Sequence, residues 1–162
     1  MRQGLEVWRA AGAELLARPS HVAGLAEVYA EIGRIEEGLE LLAESVAVLG
    51  KTGESWWEAE LYRLKGELTL KKSEMPGDPY WGASTQAATE AEGCLRNAID
   101  IARRQSAKSL ELRAVTSLSR PLTKQGEKDK ARRMLAEIYG WFTEGFNTAD
   151  LKEARAVLEE LS

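Results

Sequence analysis

The chain has 162 residues, of which 44% are hydrophobic and 30% charged, with a formal net charge of −4. These values are typical of one globular domain that is large enough to bury a core. A single cysteine, Cys94, excludes an internal disulfide, and we expect it to be a small buried hydrophobe. There is no apolar run of about 18 residues and no basic-then-apolar leader, so we expect a cytoplasmic protein.

Apolar residues recur at helical spacing through most of the chain, and the alternation typical of strands is absent. Residues 1–16 already resemble the second half of a hairpin, and the segment ends before Pro19. In the central segment, Glu54–Leu70, the apolar residues form a stripe along one face of the predicted helix, and the stripe begins at Trp57 and continues through three leucines. We therefore predict an all-α protein of about seven helices, whose apolar stripes after Pro19 are Val22–Ile32, Ile35–Leu49, Trp57–Leu68, Ala88–Ala102, Leu110–Leu122, Ala131–Phe142 and Leu151–Leu161.

Two segments interrupt these patterns. Residues 73–84 contain two prolines and two glycines, which predicts a loop that Tyr80 and Trp81 hold against the helices. An alternative role for these two aromatic residues is to stack on a ligand. Pro121 lies near the end of a predicted helix and must remove one backbone hydrogen bond, which predicts a kink or an early stop there.

The helices repeat with the order of the tetratricopeptide pattern, a helical hairpin of about 34 residues. A small residue marks the closest approach of the paired helices, a glycine lies at the turn, and small and large residues alternate along the second helix. Ala26, Gly66 and Ser119 fill the close-approach position in three successive hairpins. The matching residues in the first, third and middle repeats are Leu25, Tyr29, Gly33, Gly38, Leu42 and Ser45; Leu118, Leu122, Gly126, Ala131, Leu135 and Ile138; and Ala91, Leu95 and Ala98.

The repeats predict a single tetratricopeptide-like domain, a right-handed superhelix of antiparallel helix hairpins. Its parts are a half repeat (1–16), repeat one (19–52), repeat two with the insertion 73–84 (54–105), repeat three (109–144) and a closing helix (148–162).

Several stretches resemble one bacterial family, among them WWEAELYRLKGE and YGWFTEGF, with GLAEVYAEIGRIEEGLELLAES and AIDIARRQSAKSLELRA beside them. The family is the tetratricopeptide-rich C-terminal region of large proteins that combine an ATPase with an adenylate/guanylate cyclase or transcription-regulator domain. The resemblance covers nearly the whole chain and implies a scaffold or regulatory role. It also implies that Met1 opens a fragment, a gene remnant or an excised domain.

No residue pattern indicates catalysis, a metal site or a cofactor. His21 is the only histidine, and one histidine without cysteine or histidine neighbours cannot build a zinc site. Adjacent carboxylates such as Glu36 and Glu37 point about 100° apart on a helix, so they do not converge as an acid–base pair would. There is no phosphate-binding glycine-rich loop with its lysine. We therefore predict a non-enzymatic protein.

In tetratricopeptide stacks the first helix of each hairpin lines the concave groove, and this relationship implies where a partner would bind. The predicted groove is acidic at one end and basic at the other, which would orient a bound protein or peptide segment. Its charged residues are Glu27, Glu31, Glu60, Arg63, Glu67, Lys71, Arg113, Arg120 and Lys124.

The leading interpretation is a protein–protein interaction or oligomerisation scaffold. The alternative is contact with nucleic acid or an acidic partner through residues 103–133, a segment that contains ten lysines and arginines but only three acidic residues. The absence of aromatic residues from that segment and the negative overall charge make nucleic acid the weaker candidate. Self-association is predicted at Leu5, Val7 and Trp8, which would lack a hairpin partner and so favour a homodimer.

Overall fold

A computed structural model describes residues 19–52, 56–74 and 81–162. These residues form helices with no strand among them, as predicted. The seven helices are α1 (Pro19–Glu31), α2 (Ile35–Thr52), α3 (Glu58–Ser73), α4 (Trp81–Arg104), α5 (Lys108–Lys124), α6 (Lys128–Tyr139) and α7 (Ala149–Glu160).

The helices pack in two ways. Each one contacts the next along the chain, and the odd-numbered helices also contact one another in succession: α1 with α3, α3 with α5, and α5 with α7. Among the described helices, no even-numbered helix contacts another even-numbered one. The odd-numbered helices therefore form a continuous row, which we call the odd-helix layer, and each even-numbered helix packs against that row.

The apolar stripes predicted from the sequence supply most of the core. One cluster joins α1, α2 and α3 through residues such as Val22, Leu42 and Leu61. A second cluster joins α4 to α7, including Leu118 and Leu135. Burial of these apolar faces is the main favourable term in the free energy of folding. A single helix of this kind cannot bury its own apolar face, so each helix depends on packing against its neighbours.

Two residues assigned to the stripes are corrected by the structure. Trp57 precedes α3 and is 41% exposed, because the helix begins at Glu58 and not at Glu54. Ile32 lies beyond the end of α1 and is 59% exposed. Cys94 is buried as predicted, and burial raises the pKa of its thiol.

Small residues set the distance between paired helices. A β-carbon on Gly66 would lie 2.7 Å from Leu95 Cγ and 3.0 Å from the Ala91 carbonyl of α4. In the preceding hairpin, a β-carbon on Gly38 would lie 3.4 Å from the carbonyl of Ala26. Both contacts join residues that the repeat pattern pairs, and the close approach predicted for Gly66 is confirmed.

Three of the connections share one backbone form. The linkers between α1 and α2, α4 and α5, and α5 and α6 each have three residues. Their central residues, Gly33, Ser106 and Gly126, all have positive φ angles. In each linker the following N–H donates to a carbonyl five residues earlier, at 2.8 to 2.9 Å, which closes the preceding helix with a Schellman-type turn.

The predicted loop 73–84 is too long at both ends. Helix α3 continues through Ser73, and α4 begins at Trp81, so Trp81–Ser84 are helical. Tyr80 lies outside the described residues. Proline and glycine composition marks the break between two helices but does not fix where each helix ends.

Pro121 does not stop its helix, and the early stop predicted there is wrong. Helix α5 continues to Lys124, and the Gln125 N–H still donates to the Pro121 carbonyl at 3.1 Å. A proline this close to the C-terminus removes only the donor to the Ser117 carbonyl, so the final turn persists.

Helix α7 covers one end of the stack. Leu151, Ala154 and Val157 are buried, whereas Lys152, Glu153, Arg155 and Glu159 are exposed. The predicted half repeat 1–16, with Leu5, Val7 and Trp8, lies outside the described residues.

Replacing Gly66 with leucine should destabilise the protein by about 1–3 kcal/mol, because the added side chain overpacks the contact with α4. The matched control is Gly93→Leu, since a β-carbon there meets nothing within 4 Å. That control should be neutral or stabilising by up to about 1 kcal/mol, as glycine weakens a helix. Urea denaturation measures both variants, and equal stabilities would contradict the helix register.

The left-handed turns provide a reciprocal pair. Ser106→Gly should stabilise the protein by about 0.5–1 kcal/mol, because serine is strained at φ 55° and glycine is not. Gly126→Ser should destabilise it by about 1 kcal/mol, since its β-carbon has open space and only the backbone angle is unfavourable. Thermal unfolding of both variants checks the signs. A loss of stability in Ser106→Gly would show that the serine side chain is needed.

Candidate functional site

A buried ion network lies at the centre of the odd-helix layer. The Glu60 carboxylate accepts two hydrogen bonds from Arg63 on the same helix, at 2.9 Å from Nε and 2.7 Å from Nη2. Arg113 of α5 reaches the same carboxylate, with its Nη2 at 2.9 Å from Glu60 Oε1. Glu60 is only 2% exposed and Arg63 6%. One buried carboxylate thus joins two helices through two guanidinium groups.

Arg63 keeps its charge in this buried position. Burial alone would lower the pKa of its guanidinium, but hydrogen bonds and charge interactions with Glu60 and Glu67 more than offset that effect and raise the pKa. Glu67 lies one turn further along α3, with Oε1 at 2.7 Å from Arg63 Nη1. Glu67 also accepts a hydrogen bond from the Ser117 hydroxyl of α5 at 2.6 Å, which ties the two helices together a second time.

Two more carboxylates lie at the edge of the network at longer distances. Glu27 of α1 is 3.6 Å from Arg63 Nη2 and 4.0 Å from Arg113 Nη2. Asp150 of α7 is 3.7 Å from Arg113 Nε. Their side chains are 51% and 42% exposed, respectively. All four odd-numbered helices therefore contribute to the network, which we call the Glu60 network, and its exposed members are acidic.

A cavity of about 970 Å³ lies beside the Glu60 network, between the C-terminal halves of α3, α5 and α7. Its floor is mainly apolar, formed by Leu70, Pro121, Val157 and Leu161, with Ala88 from α4. A cavity of this size is in the range that accommodates drug-sized ligands. The charged side chains of its lining are Glu67, Lys71, Glu74, Arg120, Lys124 and Glu160.

The cationic side chains around this cavity already have acceptors. Lys71 donates across to the Ala30 carbonyl of α1 at 2.6 Å. Arg120 pairs with Glu153 of α7 at 2.7 Å, and Lys124 pairs with Glu74. Carboxylates thus pair with Arg120 and Lys124, two of the cations at the basic end of the predicted groove.

Eight of the nine groove residues predicted from the sequence therefore fall into two neighbouring groups. The Glu60 network includes Glu27, Arg63, Glu67 and Arg113, and the cavity includes Glu67, Lys71, Arg120 and Lys124. Glu31 is exposed near the end of α1, and no ion pair joins it to the described residues.

Sequence reasoning missed residues that the structure adds to this surface, above all Asp150 and Glu153 of α7. These two residues could have been found only from the place of α7 in the repeat, because α7 packs on α5 as the next member of the odd-helix layer. Treating the closing helix as the first helix of a further hairpin would have placed both residues on the same surface.

Part of the positive charge of the basic segment 103–133 is paired with carboxylates inside the protein. Arg103 and Lys108 both bind Glu111, each at 2.7 Å. Burial would raise the pKa of Glu111, but these two cations overcome burial and hold it below its ordinary value. With Arg113, Arg120 and Lys124 also paired, much of the positive charge in the segment is neutralised within the protein.

Among the described residues, no group of three metal-binding side chains is arranged to hold an ion, and no helix is both long enough and apolar enough to cross a membrane. Comparison of the chain with protein-family models and with curated proteins gave no match.

Glu60→Leu should destabilise the protein by about 3 kcal/mol or more, because it leaves the buried Arg63 without its main partner. The double variant Glu60→Leu/Arg63→Met should recover most of this loss, since an apolar pair of similar size needs no partner. Chemical denaturation gives all three stabilities.

The control for this comparison is Glu159→Leu, which breaks the exposed pair with Arg155 and should cost less than about 1 kcal/mol. If Glu60→Leu costs no more than this control, the Glu60 network is not a stabilising element of the fold.

Proposed function

We propose that this chain is a non-catalytic protein-interaction module, built as a tetratricopeptide-like right-handed superhelix, and that its odd-helix layer binds a segment of a partner protein. The observation that carries the proposal is the cavity between α3, α5 and α7. It combines an apolar floor with a charged rim, and it lies beside side chains that the Glu60 network holds in fixed positions. Such a surface provides burial and orientation for a bound segment without reorganisation.

The repeat architecture is supported by three independent features of the packing. Small residues occupy equivalent close approaches in two hairpins, three linkers share one backbone form, and the odd-numbered helices stack in succession. Stacked hairpins of this kind present one extended binding surface. The resemblance to C-terminal regions of signalling ATPase and cyclase proteins favours a scaffold role in regulation, and we propose this setting for the module.

The test is selection of short random peptides on the immobilised chain, followed by affinity measurement on a variant with a blocked cavity. Thr123 lines the cavity and is exposed, so Thr123→Trp should fill it without disturbing the core. Binding of selected peptides should fall at least tenfold in this variant. Ser109→Trp places the same side chain at an exposed position of α5 outside the cavity lining and should bind normally. The absence of any enriched peptide, or equal binding by both variants, would contradict the proposed function.

A further inference from the structure

The charge and hydrogen-bonding pattern of the cavity also specifies the chemistry of its partner. We propose that the bound segment places an apolar side chain in the cavity and a neighbouring lysine or arginine at its rim. This inference rests on the proposed function and adds the partner's chemical class to it.

The Glu60 network and the cavity with its rim together carry more carboxylates than cations. Seven carboxylates belong to the Glu60 network, to the cavity lining or to the ion pairs at its rim, and five cations accompany them, so the surface carries a net charge of −2. The carboxylates are those of Glu27, Glu60, Glu67, Glu74, Asp150, Glu153 and Glu160, and the cations are Arg63, Lys71, Arg113, Arg120 and Lys124. A basic segment is the complementary ligand.

One carboxylate of the cavity lining is also more available to a ligand than the cations are. Each of the three cations in the cavity lining already has an acceptor: the Ala30 carbonyl for Lys71, and a carboxylate for Arg120 and Lys124. Glu160 lines the cavity and is exposed, and within the described residues its carboxylate makes no hydrogen bond or ion pair. An incoming anion would have to displace an existing pair, whereas an incoming cation would find an acceptor that is ready to bind.

The backbone around the cavity favours a donor as well. Pro121 has no N–H, so the carbonyl of Ser117 lacks the donor that a helix normally supplies four residues later, and both residues line the cavity. The C-terminal ends of α3, α5 and α7 meet at this cavity, and each carries the partial negative charge of a helix C-terminus. These acceptors would stabilise an ammonium or guanidinium group.

A cation alone does not account for the floor of the cavity. Leu70 of α3, Val157 of α7 and Leu161 just after α7 give the cavity its apolar base. Burying an aliphatic side chain there removes apolar surface from water and would supply the affinity. The adjacent basic residue would then fix the orientation of the segment.

The experiment uses the peptides selected from the random library on the full chain. The inference predicts enrichment of sequences that combine lysine or arginine with leucine, isoleucine or valine, and binding that weakens as salt is raised. Glu160→Gln should weaken binding of these peptides roughly two- to fivefold, the range expected for one exposed ion pair. Glu159→Gln is the matched control, because it removes the same charge from the adjacent position, which is outside the cavity lining.

The possible results separate this inference from the proposed function. Enrichment of acidic or uncharged peptides, with binding still lost in Thr123→Trp, would overturn the inference and leave the interaction module intact. Enrichment of basic peptides that are insensitive to Glu160→Gln would also overturn it, since the cation would lie elsewhere. If no peptide is enriched, both proposals fail.

Discussion

The close approach of α3 and α4 at Gly66 is the constraint on which the rest of this structure depends. The Ala91 carbonyl and the Leu95 side chain leave no room for a β-carbon, so the contact fixes both the distance between the helices and the rotation of α3 about its axis. Arg63 and Glu67 are four residues apart and therefore share one face of the same helix, turned about 80° around the helix axis from Gly66. With Gly66 turned toward α4, that face is directed along the odd-helix layer, where Arg113 and Ser117 of α5 meet it.

The Glu60 network adds specific polar contacts to this apolar packing. Burying a carboxylate and a guanidinium is costly, and their attraction offsets the cost only when the geometry is good and the remaining donors find acceptors. Here Glu60 receives three hydrogen bonds or ion contacts from two arginines, and Glu67 accepts from both Arg63 and Ser117. We infer that the network contributes mainly to the register between α3 and α5, because a slip of one turn would separate Arg113 from Glu60 and Ser117 from Glu67. The same register positions the cavity.

The helices and their pairing were largely predictable from the sequence, because buried leucines and alanines recur with the period of a helix and small residues mark the contacts. Their ends were less predictable. Trp57 matched the apolar period of α3, yet it is exposed before the first turn, and Pro121 is accommodated in the last turn of α5. For the candidate site, the sequence predicted which residues line the surface but not which of them form ion pairs. Which charges meet depends on contacts between helices far apart in sequence, such as Arg120 with Glu153, and no local pattern indicates those pairs.

Chemical-shift mapping would show whether the odd-helix layer is the binding surface that we propose. Amide resonances of the ¹⁵N-labelled chain would be followed during titration with a selected peptide. We expect the largest shifts in the C-terminal halves of α3, α5 and α7, including Leu70, Thr123 and Glu160, with little change on the exposed faces of α2 and α6. Shifts concentrated on α2 or α6 would instead place the binding surface on the even-numbered helices.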